Sequence, residues 1–229
     1  MILADRISKS FSMKGGRRAV LRDLSFEVQA GSHFAILGGK GSGKSTILNL
    51  IGGLDHPDKG RIRCRGTVSW PFGQMRFERS MSVNQNIRFL CRVLGERDFD
   101  RVRHEVCEMT GFDSQLSAPH EQLRPIEQRS LTHALSLTFD FDVMLLDGRP
   151  IFHQLGNPEA FRQKFDEKIS RSTVVMTAEN PEAIMKSCRN ILVLDGQSGR
   201  LYDKKTEAIE AFCALNNVPA SQGDDRGNG

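Results

Sequence analysis

The chain has 229 residues, enough for one large core, and none of its apolar runs approaches the ~18 residues of a membrane span. Its five cysteines and six histidines show no disulfide or metal-ligand spacing, and MILADRISKS lacks the apolar core of a signal peptide, so we expect a cytosolic chain without a zinc site. The net charge of +4 combines a basic half, residues 1–110, with an acidic remainder, but no aromatic-rich basic stripe indicates nucleic-acid binding.

The first elements in chain order are strands. Residues 2–11 and 19–28 alternate apolar and polar side chains as half-exposed strands do, and Gly15 and Gly16 mark a turn between them. Residues 33–37, HFAIL, form a short buried-strand pattern. A glycine-rich loop follows, and then a predicted helix that ends at Gly52 and Gly53. These patterns predict an N-terminal antiparallel β part that leads into a strand, loop and helix.

The middle of the chain is predicted to be mainly helical. Residues 60–70 have the pattern of a strand pair. Residues 84–111 are predicted helical with a break near Gly95. Residues 123–139 are predicted helical again, with one apolar face. That face consists of Leu131, Ala134, Leu135 and Thr138.

The last part alternates strands and helices. Strands are predicted at 143–146, 172–176 and 190–195, with helices at 158–169 and 181–188 between them. Alternation of this kind indicates β-α-β units and a mostly parallel sheet, so the fold class is α/β. Residues 216–229 are small and polar, and we predict a disordered tail there.

Residues 38–45, GGKGSGKS, match the phosphate-binding pattern G-x-x-x-x-G-K-[ST] between a predicted strand and a predicted helix. Glycines let several backbone N–H groups point at a phosphate, and the start of the helix adds partial positive charge. Lys44 would reach the β and γ phosphates of ATP, and the Ser45 hydroxyl would ligate Mg²⁺. The alternative is a glycine-rich turn with an incidental lysine. The predicted contacts are Gly38, Gly39, Lys40, Gly41, Ser42, Gly43, Lys44 and Ser45.

Asp147 is the expected partner of this loop. It follows the buried run VMLL at the carboxyl end of a predicted strand, where open α/β sheets bind ligands. Its carboxylate would hold Mg²⁺ through water. The alternative is an Asp that caps a turn after the strand. The loop and Asp147 together predict a P-loop nucleotide-binding protein with ATP and Mg²⁺ as its ligands.

Over nearly its whole length the chain resembles the ATP-binding subunit of ABC transporters. Phe11 stands where that family has its adenine-stacking aromatic residue, and the phosphate loop, Thr46, a helical middle and Asp147 follow in the family's order. The resemblance implies a RecA-like P-loop NTPase core and a helical subdomain at about 84–138. It also implies one nucleotide-binding domain over residues 1–215, and ATP hydrolysis coupled to transport.

Four stretches resemble the branch of the family that energises export of capsular and related polysaccharides across the bacterial inner membrane. They read IGGLDHPDKGRI, SWP, NIRFLCRVLG and ALSLTFDFDVMLLD. The resemblance implies a subunit on the cytoplasmic face of the membrane, bound to a separate polytopic permease. It also implies a head-to-tail dimer, with itself or with another ATP-binding chain, in which each ATP lies between one P-loop and the other chain's signature sequence.

Four positions depart from the family pattern. The signature of the S-S-G-M or S-G-G-Q type is replaced by residues 124–127, RPIE, and the glutamate expected after Asp147 is Gly148. The expected switch histidine is Ala178 or Glu179, depending on the alignment. The glutamine that should sense the γ-phosphate is replaced by Glu78, although Gln74 is close. These departures predict ATP binding with slow hydrolysis.

Three alternatives stay open at this point. Glu78 or Glu179 could orient the attacking water in place of the missing glutamate, which would preserve hydrolysis. The chain could instead be a non-catalytic subunit that senses ATP without turning it over. The third alternative is a soluble P-loop enzyme such as a small-molecule kinase, which requires a lid over an acceptor substrate.

Overall fold

The computed structural model describes residues 1–216, and the rest of the predicted tail lies outside them. Within that range no helix is both long and apolar enough to cross a membrane. The strands are β1 (Ile2–Met13), β2 (Gly16–Val28), β3 (His33–Leu37), β4 (Lys59–Cys64), β5 (Val68–Pro71), β6 (Val143–Leu146), β7 (Thr173–Ala178), β8 (Asn190–Asp195) and β9 (Ser198–Tyr202). The helices are α1 (Lys44–Ile51), α2 (Val83–Leu94), α3 (Phe99–Thr110), α4 (Pro125–Thr138), α5 (Pro158–Arg171) and α6 (Lys205–Asn216).

A six-stranded sheet forms the centre, with the strand order β5-β6-β7-β3-β8-β9. Every neighbouring pair from β5 to β8 is parallel, and only β9 pairs antiparallel, with β8. The predicted α/β class with a mostly parallel sheet is therefore confirmed. Because β6, β7 and β3 are parallel neighbours, their carboxyl ends lie at one edge, and the loops that follow these strands meet there.

The central sheet separates two apolar cores. Successive side chains of a strand point to opposite faces, and in β3 Phe34 and Ile36 enter one core while Ala35 and Leu37 enter the other. The first core also contains α1 and the inner face of the N-terminal strands. The second contains α2, α3, α4 and α5. Both faces of the strands are thus covered, which explains their continuous apolar runs.

A second sheet, β2-β1-β4, is antiparallel, as the N-terminal pattern predicted. Its strands β1 and β2 are joined at Gly15 and Gly16, whose φ angles of 107° and 139° favour glycine. The sheet packs Ile2, Ala4 and Ile7 against the first core. The end of the sheet where β1 meets β2 reaches the phosphate loop, since Val20 of β2 packs on Gly43, and the exposed Phe11 lies near the end of β1.

The predicted helical middle is present as α2, α3 and α4. Ser82 begins α2 with a capping box, since its hydroxyl accepts from Gln85 N and its own N–H donates to the Gln85 side chain. Gly95 ends the helix at φ 72°, where the sequence predicted a break. In α4, the predicted apolar face is buried. The division of residues 1–215 into a core and a helical subdomain stays a prediction.

The strand pair predicted at 60–70 is wrong in one respect. Both strands exist, but β4 pairs with β1 in the antiparallel sheet and β5 pairs with β6 in the central sheet. Asp142 holds the connection from β4 to β5 beside the start of β6, because Thr67 N and Thr67 Oγ1 donate to its carboxylate at 2.7 and 2.9 Å. Such a contact spans 75 residues of sequence, so the local pattern could not reveal it.

The helix predicted at 181–188 is also wrong. Only a 3-10 turn forms, at Pro181–Ala183, and the chain is extended at Ile184. An eight-residue segment is too short to be a stable helix without strong packing on one face. The last two elements, β9 and α6, were not predicted. Asn216, taken as the first residue of the tail, is the last residue of α6.

Candidate nucleotide-binding site

The phosphate loop connects β3 to α1 and is shaped by glycines. Gly41 and Gly43 have φ angles of 76° and 99°, which other residues rarely adopt. At Gly38 a Cβ would lie only 2.5 Å from Ser42 Oγ and 3.2 Å from Leu194 Cβ, so a larger residue would require these neighbours to move. The loop therefore folds back on itself at the start of α1, where backbone N–H groups lack helical partners.

Lys44 lies inside this loop and is only 7% exposed. Its Nζ donates to the carbonyl oxygens of Gly38 and Gly39 at 2.9 and 2.8 Å, and it lies 3.7 Å from Glu179 Oε1. Two backbone carbonyls thus hold the Lys44 ammonium group within the loop, where it faces the Glu179 carboxylate. A phosphate at this position would be a stronger partner for the ammonium than the neutral carbonyls.

Asp147 is the centre of a polar network at the carboxyl edge of the central sheet. Its Oδ2 accepts from Ser45 Oγ at 3.0 Å and from Gln74 Nε2 at 3.1 Å. Its Oδ1 accepts from Thr177 Oγ1 at 2.7 Å. The structure therefore brings together the two predicted Mg²⁺ ligands, Ser45 and Asp147.

The donor set fits Mg²⁺ and phosphate. A hydroxyl oxygen and a carboxylate 3.0 Å apart are hard ligands, and Mg²⁺ typically takes only one or two protein oxygens and fills its shell with phosphate and water. Within the loop, Ser42 Oγ is buried and has no hydrogen-bond partner among the described residues. Buried polar atoms usually have a hydrogen-bond partner, which for Ser42 Oγ can be a water or a bound group.

A cleft of about 780 Å³ opens above the loop, a volume within the range of small-molecule sites. Of the predicted contacts, the residues that line it are Phe11, Lys40, Gly41, Gly43, Lys44, Ser45, Thr46 and Asp147. Gly38, Gly39 and Ser42 lie behind them within the loop. Phe11 is 40% exposed, and Lys9 Nζ lies 5.3 Å from the centre of its ring. An exposed aromatic face at the rim of the cleft is available for stacking.

Gly148 follows Asp147 in a left-handed conformation, with φ 86°. Its N–H donates to Thr177 Oγ1 at 2.9 Å, so Thr177 holds both Asp147 and the next peptide. A Cβ at Gly148 would meet no atom within 4 Å. The position has space for a side chain, but its backbone angle opposes one.

The two candidate substitutes for the missing base lie in different places. Glu179 follows β7, lines the cleft and faces Lys44. Glu78 instead belongs to the turn before α2, where its carboxylate accepts from Ser80 N and Ser80 Oγ. Ala178, the other alignment choice for the switch histidine, is the buried last residue of β7. Glu179 is therefore the candidate that lines the cleft next to Lys44.

At the start of α4 the Glu127 side chain folds back on Arg124, and we call this helix start closed. Glu127 accepts from Arg124 N and from Arg124 Nη2, each at 2.8 Å. These hydrogen bonds to Arg124 lower the pKa of Glu127. A helix start binds anions through its free N–H groups and partial positive charge. Here the Glu127 carboxylate takes the Arg124 N–H and adds a negative charge beside the helix start, at the place where the family's signature would stand.

Sequence reasoning missed one residue of the network and gave another only as a neighbour. Thr177 was not singled out, although the parallel register pairs Leu146 with Met176 and so sets the next residues, Asp147 and Thr177, side by side. Gln74 was named only as close to the expected glutamine. Its contact with Asp147 depends on the turn after β5, which the strand pattern did not describe.

Comparison with known proteins gives consistent results. A family model described as ABC transporter matches residues 21–147. The capsule polysaccharide export ATP-binding protein CtrD of Neisseria meningitidis serogroup B is 30% identical over 94% of this chain and 100% of its own. The polysialic acid transport ATP-binding protein KpsT of Escherichia coli is 29% identical over 93% of this chain and 98% of its own.

Solved structures agree on the fold. The ATP-binding cassette MJ0796, in a dimeric post-hydrolysis state bound to ADP and Pi, superposes with a TM-score of 0.70. The superposition covers 89% of this chain and 98% of that one at 19% identity. At this level of identity the similarity shows the fold alone.

Proposed function

Because this chain belongs to the ABC transporter family of ATP-binding domains, we propose that it is the subunit that binds Mg²⁺–ATP in a transporter exporting a polysaccharide across the bacterial inner membrane. The observation that carries this proposal is the meeting of the Lys44 loop with the Ser45–Asp147 pair at one edge of the sheet. The names of the relatives CtrD and KpsT support the choice of a polysaccharide as the exported substrate.

Most of the predicted site residues have a named role in this proposal. The loop N–H groups and Lys44 bind the β and γ phosphates, Ser45 and Asp147 hold Mg²⁺, and Phe11 stacks on the adenine. When bound, Mg²⁺ offsets charge on the phosphates. Thr177 and Gln74 orient the Asp147 carboxylate through the hydrogen bonds described above. The proposed nucleotide-binding domain covers residues 1–215.

Hydrolysis by this chain is proposed to be slow. A general base contributes typically 10² to 10⁴-fold in rate, and Gly148 has no side chain to act as one. Glu127 places a negative charge at the start of α4, so this end of the helix is a poor partner for the γ-phosphate of a second ATP. These losses affect one reaction and are not simply additive.

Glu179 is the proposed substitute base, because it lines the cleft and faces Lys44. If it orients the attacking water, Glu179→Gln abolishes the remaining ATPase activity. Glu182→Gln is the matched control, since Glu182 is an exposed carboxylate three residues further on. Equal rates for Glu179→Gln and the unaltered chain would exclude Glu179 as the base.

The proposed assembly places the chain on the cytoplasmic face of the membrane, bound to a polytopic permease and paired with a second ATP-binding chain. In a homodimer both sandwiched sites lack the base and the signature. With a complete partner, one site has this chain's phosphate loop without a base, and the other has this chain's altered signature. Either arrangement predicts slow turnover, and homodimer and heterodimer both stay open.

A non-catalytic subunit that senses ATP is the second candidate, and the closed start of α4 favours it. It differs from the first by the absence of any turnover in the presence of the permease. Membership in the transporter family opposes the third candidate, a soluble kinase-like enzyme.

The first test is ATP affinity measured by calorimetry with Mg²⁺ present. We expect saturable binding of one ATP, and we expect Lys44→Ala to weaken it by roughly tenfold or more, because a charge-assisted contact is lost. Lys59→Ala is the control, since Lys59 is an exposed lysine of β4 outside the residues that line the cleft. No ATP binding by the unaltered chain would contradict the proposed function.

A further inference from the structure

The turn that carries Gln74 is tightly fixed at its first two residues. Phe72 N donates to Leu145 O at 2.8 Å, which ties the turn to β6, the strand that ends beside Asp147. Gly73 has φ 75°, and Gln74 N donates to Pro71 O at 3.0 Å. The backbone of this turn therefore fixes the Cα of Gln74 at a place from which its side-chain Nε2 reaches Asp147 Oδ2 at 3.1 Å.

The imidazole of His133, from the middle of α4, packs directly on this turn. Its centre lies 4.8 Å from the centre of the Phe72 ring, and the two rings are nearly perpendicular at 84°. A Cβ on Gly73 would lie 3.0 Å from His133 Cε1, so the ring and the Gly73 backbone are already in close contact. The fit requires a glycine at this position for its backbone angle and also for its lack of a side chain.

His133 is held in place from its own helix. Its Nδ1 lies 2.8 Å from Arg129 O, and because a carbonyl oxygen can only accept, Nδ1 carries the hydrogen. Burial lowers the pKa of His133, which keeps the ring neutral near pH 7. On the far side of Phe72, the rings of Phe152 and Phe165 lie 6.3 and 6.2 Å away. The Phe72–Gly73 turn is thus enclosed between α4 and an aromatic cluster.

We propose that His133 is a positioning residue for the nucleotide site: its ring sets the Phe72–Gly73 turn and thereby holds Gln74 on Asp147. The inference rests on the proposed function, because it assigns Asp147 to Mg²⁺. It connects α4, whose first turn is closed by Glu127, to the metal-binding carboxylate. His133 is nine residues after Arg124, or about 14 Å along the helix, so a displacement of α4 by a partner reaches Gln74 through this ring.

The first test measures hydrogen exchange at the backbone N–H of Gln74, which donates to Pro71 O, in nucleotide-free protein. We expect His133→Ala to speed its exchange by roughly tenfold, because the turn loses its support. His133→Phe keeps a ring of similar shape and restores slow exchange. His104→Ala is the matched control, since His104 is an exposed histidine of α3, and the amides of β3 report whether the fold is intact. Unchanged exchange at Gln74 in His133→Ala overturns the inference.

The second test measures ATP affinity with Mg²⁺ and with a chelator. The measured quantity is the ratio of ATP affinity with Mg²⁺ to ATP affinity with the chelator. We expect Gln74→Ala and His133→Ala to lower this ratio by the same factor, roughly two- to tenfold, while the affinity without metal is unchanged. The double variant should lose no more than Gln74→Ala alone, since one residue acts through the other. Additive losses would overturn the inference. An unaltered chain that binds no ATP would contradict the proposed function, and the exchange experiment would still test the contact.

Discussion

Gly148 stands where the family resemblance predicts a catalytic glutamate. The residue combines φ 86°, a hydrogen bond to Thr177 and open space where a side chain would go. A left-handed conformation costs roughly 1–2 kcal/mol for a residue with a Cβ. A side chain added at position 148 would therefore have space but would strain the backbone.

Gly148→Glu tests whether this position alone limits turnover. We expect phosphate release to rise less than about tenfold, well below the 10² to 10⁴-fold of a well-placed base, because the backbone is strained and α4 remains closed by Glu127. Gly148→Ala carries the same strain without the carboxylate and is the control for stability. A rise of a hundredfold or more would show that the missing base is the main defect.

Gly73 and Gly95 form a matched pair of left-handed glycines, with φ 75° and 72°. At Gly95 a new Cβ meets nothing within 4 Å, whereas at Gly73 it meets the His133 ring. Alanine at either position costs roughly 1–2 kcal/mol for the backbone, and overpacking at Gly73 adds roughly 1–3 kcal/mol. Urea unfolding of both variants, alone and with His133→Ala, measures this difference. Equal costs in both backgrounds would exclude the close contact.

At the level of elements, two histidines support the segment 72–82 between β5 and α2. His133 contacts Phe72, and His120 packs against Phe77 with its ring centre 5.1 Å away. His120 is 8% exposed, and neither of its ring nitrogens has a hydrogen-bond partner among the described residues. A positive charge on His120 has no partner among the described residues, and one on His133 has only the Arg129 carbonyl, so the segment is sensitive to their protonation.

This burial predicts a pH dependence of stability. Burial lowers the pKa of both His120 and His133 from the ordinary 6.5, and for His120 the charge of Arg79 lowers it further. The unfolded chain then binds protons more readily, so the free energy of unfolding is at its full value above pH 6.5 and falls as the pH drops below it. Urea unfolding at pH 7.5 and 5.5 measures the loss. His120→Phe keeps a ring against Phe77 and should make the loss smaller, while an unchanged loss would contradict the role of His120.

The elements themselves were largely predictable because their signals are local. The apolar run at 143–146 and the glycine loop at 38–45 predicted β6, the phosphate loop and the edge where Asp147 meets Ser45. Contacts between distant segments were not predictable. The path from β4 to β5 depends on Asp142, 75 residues after Thr67, and the reach of Gln74 depends on a turn supported by His133. Neither partner has a pattern of its own in the sequence.

Across the whole molecule, the residues expected to bind ATP are present, whereas several of those expected to hydrolyse it are replaced. The phosphate loop, Asp147 and the cleft are built from the strand ends of the central sheet and fit Mg²⁺–ATP. Four other positions depart from the family pattern: Gly148 lacks a side chain, Ala178 or Glu179 stands at the switch histidine, Glu78 stands at the expected glutamine, and Glu127 lies at the start of α4. The chain is therefore expected to bind ATP and to depend on its assembly for any rapid turnover.

Slow hydrolysis at a site that binds ATP is tested most directly by single-turnover phosphate release, with the purified chain in excess over Mg²⁺–ATP at a concentration above its dissociation constant. We expect bound ATP to be converted at least about a hundredfold more slowly than the ~10 s⁻¹ of a typical enzyme. Lys44→Ala, which should retain less of the ATP, provides the comparison rate. Conversion of the bound ATP at ~10 s⁻¹ would contradict this expectation and would show that a group such as Glu179 has fully replaced the missing base.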